Sequence, residues 1–214
     1  MSSGTPRGWA PARFPRDPVA AERLREWIAC EGSGLDAVGL DLTGADLSRA
    51  DFSESWFTEA NLSGVVLVGC DLYRSDAEGA DLDHANLTDS SLIRANLDEA
   101  TLRGAILDRA DMVKASLYGV DASGARCRNT RFVGSSLLDV DFSGADLSGA
   151  SFEENSFKVK VDEETLFHGA SGSVFGPVEV VGRSVSRQLA GAELQGWLRN
   201  RGADIRVMEE RRRA

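Results

Sequence analysis

A five-residue pattern repeats without insertion or deletion from Leu40 to Val159, and this period constrains the fold more than any other feature of the chain. The third residue of each group is Leu in 14 of the 24 groups and Phe in 6, and the first residue is Ala, Ser or Val in 20 of them. An internal repeat of this kind has to be interpreted before any single helix or strand is assigned.

A period of five fits neither an α-helix nor a flat β-strand. Apolar residues at i, i+2 and i+5 would be scattered around a helix of 3.6 residues per turn, and a strand needs strict alternation. A chain that turns a corner every five residues satisfies the pattern, with the first and third side chains inside and the other three outside. Each turn can then bury its apolar residues only by stacking on its neighbours.

Several groups read Ala, then Asp or Asn, then Leu, then two variable residues. Examples are Ala45–Arg49, Ala60–Gly64, Ala80–His84 and Ala145–Gly149. They resemble the pentapeptide repeat family, and the resemblance covers Leu35 to about Val159. It implies an all-β fold, a right-handed quadrilateral parallel β-helix with four groups to a coil. We therefore expect a solenoid of about six coils at residues 35–159.

The residues before the solenoid are expected to cap its first coil. Residues 1–34 read as an irregular leader followed by a short amphipathic helix, which Asp17 starts as an N-cap and Pro18 continues as the first helical residue. Gly32 and Gly34 are expected to end this helix. A solenoid leaves an apolar end and unpaired backbone groups unless something covers them.

After Lys158 the five-residue pattern decays, because the register places Asp162 at an inward position and an unpaired carboxylate is costly to bury. Residues 160–214 are expected to form a small α/β cap or a dimerisation element, and the sequence leaves that choice open. We predict strands at 178–181 and 204–208, a helix at 192–201 and a disordered basic tail at Arg211–Arg213. The candidate cap or dimer contacts are Leu194, Trp197 and Leu198.

Composition excludes several classes of protein. The net charge of −10 argues against a nucleic-acid-binding surface held by Lys and Arg. Cys30, Cys70 and Cys127 are odd in number and lack a Cys-x-x-Cys spacing, so we interpret them as free thiols in a cytoplasmic protein. No apolar run approaches the ~20 residues of a membrane span. No catalytic, metal-binding or cofactor-binding motif occurs, so we expect no enzyme and no cofactor.

With four groups to a coil, every twentieth residue lies one coil further along the same face. We name the faces after one central residue. The Leu62 face has centres Leu42, Leu62, Leu82, Leu102, Ala122 and Phe142; the Leu97 face has Phe57, Ala77, Leu97, Leu117, Leu137 and Phe157; and the Leu92 face has Phe52, Leu72, Leu92, Met112, Phe132 and Phe152.

The Leu62 and Leu97 faces adjoin each other and are acidic. The candidate partner-binding residues are Asp41, Asp81, Asp121 and Asp141 on the first and Glu59, Asp76, Glu78, Asp98 and Glu99 on the second. From Leu35 to Val159 the chain has 22 Asp or Glu and 10 Lys or Arg. Six coils rise about 29 Å at ~4.8 Å each, a length over which duplex DNA carries about 17 charges. Duplex mimicry and simple local turn hydrogen bonds both remain open interpretations.

The Leu92 face has a different character. An apolar stripe of Tyr73, Ile93, Val113 and Val133 runs beside a basic column of Arg74, Arg94 and Lys114. Such a combination is not a default solvent surface. It is either covered by the chain's own terminal segments or used as a partner or dimer surface.

The family resemblance implies a function as well as a fold. Well-known members bind DNA gyrase or topoisomerase IV and protect it from quinolones or other gyrase-poisoning antibiotics. We therefore expect a non-enzymatic, DNA-mimicking protein with a protein partner of this kind, antibiotic resistance as its outcome, and a homodimer through the C-terminal segment. The protecting proteins often carry loops that project from the solenoid, and this chain differs from them because its repeat has no insertion. The alternative is a general interaction scaffold that uses the apolar and basic stripe.

Overall fold

The computed structural model describes residues 8–30, 34–182 and 185–208. The described elements are α1 (Pro18–Ala29), β1 (Ser136–Asp141), β2 (Ser151–Asp162), β3 (Ser171–Phe175), β4 (Val178–Val181), β5 (Arg187–Leu189), α2 (Gly191–Asn200) and β6 (Asp204–Met208). From Leu35 to the start of β1 the chain alternates single-residue bridges with turns. A corner every five residues leaves no room for longer strands.

Successive coils stack through parallel bridges between residues twenty apart. The series begins with Asp36 and Trp56 and continues to Asp146 and Leu166. The third N–H of each group donates to the next coil, as Leu62 N does to Asp81 O at 2.7 Å. The predicted parallel β-helix with four groups to a coil is therefore observed, and its stacking extends beyond Val159.

The interior consists of the first and third side chains of the groups, which are almost fully buried. Phe132 and Phe152, one coil apart, stack with ring centroids 5.3 Å apart. Where the first residue is polar, its side chain has a hydrogen-bond partner: Thr130 Oγ1 donates to Leu107 O of the preceding coil at 2.7 Å, and Ser90 Oγ donates to Leu87 O of its own coil at 2.7 Å. Buried polar groups of this kind are stable because they have a hydrogen-bond partner.

Helix α1 starts as the sequence predicts. The Asp17 carboxylate accepts a hydrogen bond from Ala20 N at 2.8 Å, and Pro18 is the first helical residue. Leu24 is buried, and the Trp27 ring stacks on Phe52 at 5.1 Å. The helix ends at Ala29, and the predicted stop at Gly32 lies outside the described residues.

The described part of the leader is more regular than expected. Arg13 forms an antiparallel bridge with Asp46, and Asp46 N donates to Arg13 O at 2.9 Å. Trp9 Nε1 donates to Ser48 O at 3.0 Å. The leader thus supplies an acceptor, Arg13 O, and donors that include Arg13 N and Trp9 Nε1, where a preceding coil would stand elsewhere in the stack.

Asp162 does not occupy the inward position that the five-residue register would give it, because the pairing between β1 and β2 shifts by one residue. Leu138 pairs with Lys158 but Val140 pairs with Val159, so Asp139 has no opposite residue. Val159 and Val161 therefore become the buried residues. The Asp162 carboxylate remains partly exposed and accepts hydrogen bonds from Gly144 N at 2.9 Å and Thr165 N at 2.9 Å.

The strands after β2 continue the stack and then close it. The sheet order is β5-β4-β2-β3-β6, with β1 also paired to β2. Strands β3 and β4 both pair parallel to β2, β6 pairs parallel to β3, and β5 pairs antiparallel to β4. The predicted strands at 178–181 and 204–208 are confirmed, and α2 starts one residue earlier than predicted. The predicted basic tail lies outside the described residues.

Candidate functional site

The second-position carboxylates are bound to their own corners. Oδ1 of Asp41 accepts from Thr43 N at 2.9 Å, and Oδ1 of Asp76 accepts from Glu78 N at 3.2 Å. The same bond to the N–H two residues later forms at Asp81, Asp121 and Asp141. The local turn hydrogen bonds expected for this ladder are therefore present. It uses one oxygen of each carboxylate, so the charge and the other oxygen remain at the surface.

A second class of carboxylate, at the fourth position, bonds the backbone of the next coil. Asp83 accepts from Arg103 N at 2.9 Å, Asp98 from Tyr118 N at 2.8 Å and Asp108 from Arg128 N at 3.2 Å. In each of these next coils the second residue is Thr, Ser or Arg, which makes no such turn bond. The carboxylate one coil earlier replaces the missing acceptor. Sequence reasoning missed this pairing, which a comparison of positions twenty apart would reveal.

The negative charge is concentrated on two of the four faces. Between residues 35 and 159 the Leu62 and Leu97 faces hold twelve of the 22 acidic residues but two of the ten basic ones, Arg103 and Lys158. Both of these cations are in ion pairs, Arg103 with Asp83 at 2.5 Å and Lys158 with Asp139 at 2.7 Å. Within the described ranges, the other carboxylates of the two faces have no ion-pair partner.

The remaining two faces hold the other eight cations, and five of these are in ion pairs. On the face centred on Leu47, Leu67, Leu87 and Leu107, which we call the Leu87 face, Arg109 pairs with Asp89 at 2.6 Å and Arg126 with Asp108 at 2.9 Å. Hydrogen bonds from Arg109 hold the pKa of Asp89 below its usual value. The charge of the Leu87 and Leu92 faces is therefore largely neutralised by neighbours.

The ion pair on the Leu62 face has a similar effect on its carboxylate. Burial alone would raise the pKa of Asp83, but its bonds to Arg103 and Thr101 outweigh burial and lower it.

Glutamates alternate with glycines along one edge of the Leu97 face. Glu59, Gly79, Glu99 and Gly119 follow one another at intervals of twenty, and all four have positive φ, with 56° at Glu59 and 59° at Glu99. A Cβ at Gly119 would come within 2.8 Å of the Glu99 carboxylate. The glycine therefore provides the space that the glutamate of the previous coil occupies.

The Leu97 face also carries large apolar side chains that sequence reasoning missed. Val38 is 51 %, Trp56 48 %, Tyr118 46 % and Leu138 37 % exposed. All four fall on this face when residues are sorted at intervals of twenty, so the signal was present in the sequence. The acidic residues from Glu59 to Glu99 lie between Trp56 and Tyr118.

The predicted stripe of Tyr73, Ile93, Val113 and Val133 is brought together on the Leu92 face, and all four side chains are half-buried. The Arg74 guanidinium lies 5.7 Å from the centre of the Tyr73 ring and 3.9 Å from the Glu54 carboxylate. In the part of the chain that the structure describes, Arg94 and Lys114 have no ion-pair partner. The stripe is thus less exposed than the apolar residues of the Leu97 face.

The candidate contacts of α2 lie inside the chain's own core. Leu194 and Leu198 are fully buried, and Trp197 packs edge-on against Phe167 at 5.8 Å. The Gln195 side chain bonds both Ile205 O and Val207 N and so ties α2 to β6. A dimer would need a different apolar surface from these three residues.

Other kinds of site find no support in residues 8–30, 34–182 and 185–208. No group of three His, Cys, Asp or Glu side chains there is placed to hold a metal ion. Neither described helix has the length and apolar character needed to cross a membrane. The partly exposed carboxylates and the exposed apolar residues of the Leu97 face remain as the surface with a distinctive composition.

Sequence comparison identifies the repeat. The family model described as pentapeptide repeats matches eight copies at residues 33–64, 57–89, 85–121 and 123–154. The chain belongs to the pentapeptide repeat family. Proteins of this family form right-handed β-helices. No curated protein gives a significant match to the chain.

Two solved pentapeptide repeat structures share the fold. HetL, involved in heterocyst differentiation regulation in the cyanobacterium Nostoc sp. strain PCC 7120, is 22% identical, with 86% of this chain and 90% of HetL covered and a TM-score of 0.52. A trypsin-treated form of QnrB1, a plasmid-mediated fluoroquinolone resistance protein, is 18% identical, with 67% and 82% covered and a TM-score of 0.52. At these identities the likeness extends to the fold and no further.

Proposed function

We propose that this pentapeptide repeat protein is a non-enzymatic binding protein whose acidic side occupies a DNA-binding surface of DNA gyrase or topoisomerase IV. The observation that carries the proposal is that every coil from Asp36 to Asp141 has at least one carboxylate without an ion-pair partner on the Leu97 or Leu62 face of the described chain. Coils spaced ~4.8 Å apart place these charges along one side of the solenoid. A positively charged surface that binds DNA phosphates would attract that side.

The likeness to QnrB1 supports this choice of partner at the level of fold. QnrB1 is a fluoroquinolone resistance protein, and quinolones poison the enzymes that the proposal names. Fold alone does not assign function, so the chemistry of the acidic side has to carry the proposal. Protection of the enzyme would follow if the solenoid competes with DNA for the same surface.

The test measures binding of the full chain to purified DNA gyrase, together with gyrase supercoiling in the presence and absence of a quinolone. The informative variant combines Glu59→Gln, Glu78→Gln and Glu99→Gln, three exposed residues of the Leu97 face. The matched control combines Glu153→Gln, Glu154→Gln and Glu193→Gln, three exposed residues outside the two acidic faces. Both variants remove three charges without removing a turn acceptor.

We expect salt-sensitive binding that the first variant weakens at least tenfold and the control leaves within twofold. Salt sensitivity follows because exposed charges are screened within about 8–10 Å at physiological ionic strength. Absence of binding and of protection at micromolar protein, or equal weakening by both variants, would refute the proposal.

The second candidate function, a general scaffold that binds through the stripe, is favoured by one observation. Arg94 and Lys114 stand beside half-buried apolar side chains and have no ion-pair partner among the described residues. Combined charge reversal by Arg74→Glu and Arg94→Glu tests it, with partner binding and oligomeric state as readouts. If neither changes, the stripe has no such role.

A further inference from the structure

The exposed apolar residues are unevenly distributed over the molecule. The structure has nine exposed large apolar side chains in its described part, and four of them, Val38, Trp56, Tyr118 and Leu138, share the Leu97 face. Imitation of DNA charge does not require an exposed tryptophan. Exposed aromatic residues that cluster on one face are typical of protein contact sites, where Trp and Tyr contribute most of the binding energy.

Some carboxylates between the two aromatic residues accept hydrogen bonds from neutral groups, such as Asn96 Nδ2 and Ser116 Oγ, but none of them has an ion-pair partner among the described residues. Asp76 and Glu78 lie one coil beyond Trp56, Asp98 and Glu99 lie two coils beyond it, and Tyr118 lies three coils beyond it. These steps correspond to about 5, 10 and 14 Å along the solenoid axis at ~4.8 Å per coil. Two of the carboxylates, Glu78 and Glu99, are exposed.

The backbone of this face leaves no room for an added β-strand. Asp76 N donates to Ser55 O at 2.9 Å in the previous coil, and Ala77 N donates to Asn96 O at 2.8 Å in the next. Since these groups are bonded within the solenoid, a partner has to dock through side chains rather than by pairing its backbone.

An α-helix has the dimensions that this face requires. A side made of about three extended residues is roughly 10 Å wide, which is close to the ~10–12 Å diameter of a helix with its side chains. Residues at i, i+4, i+7 and i+11 of a helix lie on one side, at about 0, 6, 10.5 and 16.5 Å along its axis. An apolar residue, two cations and a second apolar residue at these places would oppose Trp56, the two carboxylate pairs and Tyr118.

We propose that the Leu97 face binds a basic amphipathic α-helix of a partner protein, with Trp56 and Tyr118 as apolar anchors and Asp76, Glu78, Asp98 and Glu99 as cation acceptors between them. This inference rests on the proposed function only in using the same acidic face, and it names the element of the partner that docks there. The carboxylates determine orientation and association rate, and the aromatic rings determine residence time.

The test uses the full chain and a labelled synthetic helical peptide of eighteen residues, with Leu at i and i+11, Lys at i+4 and i+7, and Ala, Gln and Ser elsewhere. Fluorescence anisotropy is measured at low and at high salt. One control peptide replaces both Lys by Glu, and a second replaces both Leu by Ser. The informative variant of the protein is Trp56→Ala with Tyr118→Ala, and its matched control is Leu166→Ala with Val185→Ala, two exposed apolar residues elsewhere.

We expect saturable binding of the designed peptide that the aromatic variant weakens at least tenfold at both salt concentrations and that the control variant leaves unchanged. Glu78→Gln with Glu99→Gln should weaken binding more at low salt than at high salt. Thermal unfolding of every variant verifies that it is folded. Binding that is equal for the two-Ser peptide, or insensitive to Trp56→Ala with Tyr118→Ala, overturns the inference. Gyrase binding without peptide binding would refute the helix while leaving the proposed function intact.

Discussion

At the scale of single residues, the outward carboxylates of this solenoid differ more in structural role than in chemistry. Asp41 bonds its own corner, whereas Asp83 bonds the backbone of the next coil and the Arg103 side chain. Asp83 is 9 % exposed, whereas the fourth-position residues Ser63 and Ser123 of other coils on the same face are only half-buried. Eighteen positions after Asp83 the chain has Thr101 instead of Asp. Arg103 N therefore lacks the usual turn acceptor, and Asp83 takes its place.

Replacing Asp83 by Ala should lower the free energy of unfolding by about 1–3 kcal/mol, since Arg103 N loses its acceptor. Asp83→Asn should cost less, because the amide oxygen can still accept from Arg103 N. The pKa of Asp83 is lowered in the folded chain, so its charge stabilises the fold fully above the unfolded pKa near 4. That contribution is lost as the pH falls through the lower folded pKa. Urea unfolding between pH 7 and pH 3 measures it.

The difference in stability between the native chain and Asp83→Asn should therefore shrink at the acidic end of this range. Glu153→Gln is the control, since Glu153 is exposed and has no ion-pair partner among the described residues. A pH-independent difference for Asp83→Asn would contradict the assignment of its ion pair.

At the scale of elements, the regular and the irregular parts of the chain were predictable to different degrees. The five-residue period is enough to place the inward residues, because one register persists over 24 groups. The start of α1 at Asp17 and Pro18 was also predictable from the sequence, since capping depends on local chemistry. The one-residue shift at Asp139 was not predictable, because a bulge depends on pairing with another coil. The alternation of Val159, Lys160 and Val161 was its available signal.

The candidate site shows the same division. Its acidic residues were identified from the sequence, but Trp56 and Tyr118 were overlooked, because exposure depends on neighbouring coils. A stripe of Tyr, Ile and Val covers itself when its members stack, whereas Trp56 is followed one coil later by the smaller Asp76. Side-chain sizes at intervals of twenty therefore have to be compared before exposure is inferred.

The element that depends most on a single side chain is the end of β2. Asp162 accepts from Gly144 N, Glu164 N and Thr165 N, at 2.9, 3.0 and 2.9 Å. Gly144 N would otherwise bond a carbonyl of the next coil, as Gly64 N bonds Asp83 O. Asp162→Ala should therefore lower stability by about 1–3 kcal/mol and increase amide hydrogen exchange at Gly144 and Thr165. Unchanged exchange at both amides would show that the carboxylate does not hold the shifted register. Glu164→Ala, at an exposed neighbour without an ion-pair partner among the described residues, is the control.

At the scale of the whole molecule, the solenoid has no central core separate from its coils. Each coil buries its apolar residues against the coils on either side, and its backbone groups bond both neighbours. Stability in such an array is a sum of terms between neighbouring units. The acidic faces extend over several coils, so they stay intact as one surface only if the coils unfold together and not one at a time.

The two buried thiols can report on this question. Cys70 and Cys127 lie in different coils, and burial raises the pKa of Cys70 to about 12 and raises that of Cys127 as well. Both thiols should be unreactive towards a disulfide reagent in the native chain, whereas Cys30 is exposed and should react at once. In a Cys30→Ser background we expect no labelling without denaturant.

As urea is added, Cys70 and Cys127 should become reactive with the same midpoint, because tight stacking couples every coil to its neighbours. Mass spectrometry of the labelled peptides distinguishes the two sites, and unfolding monitored by circular dichroism gives the global midpoint. Leu87→Ala, which leaves a cavity between the two cysteines, should lower both labelling midpoints in parallel, with a cost of about 2–5 kcal/mol. If Cys127 became reactive well before Cys70, the coils would open separately, and the rigid acidic face on which the proposed binding depends would not be a single unit.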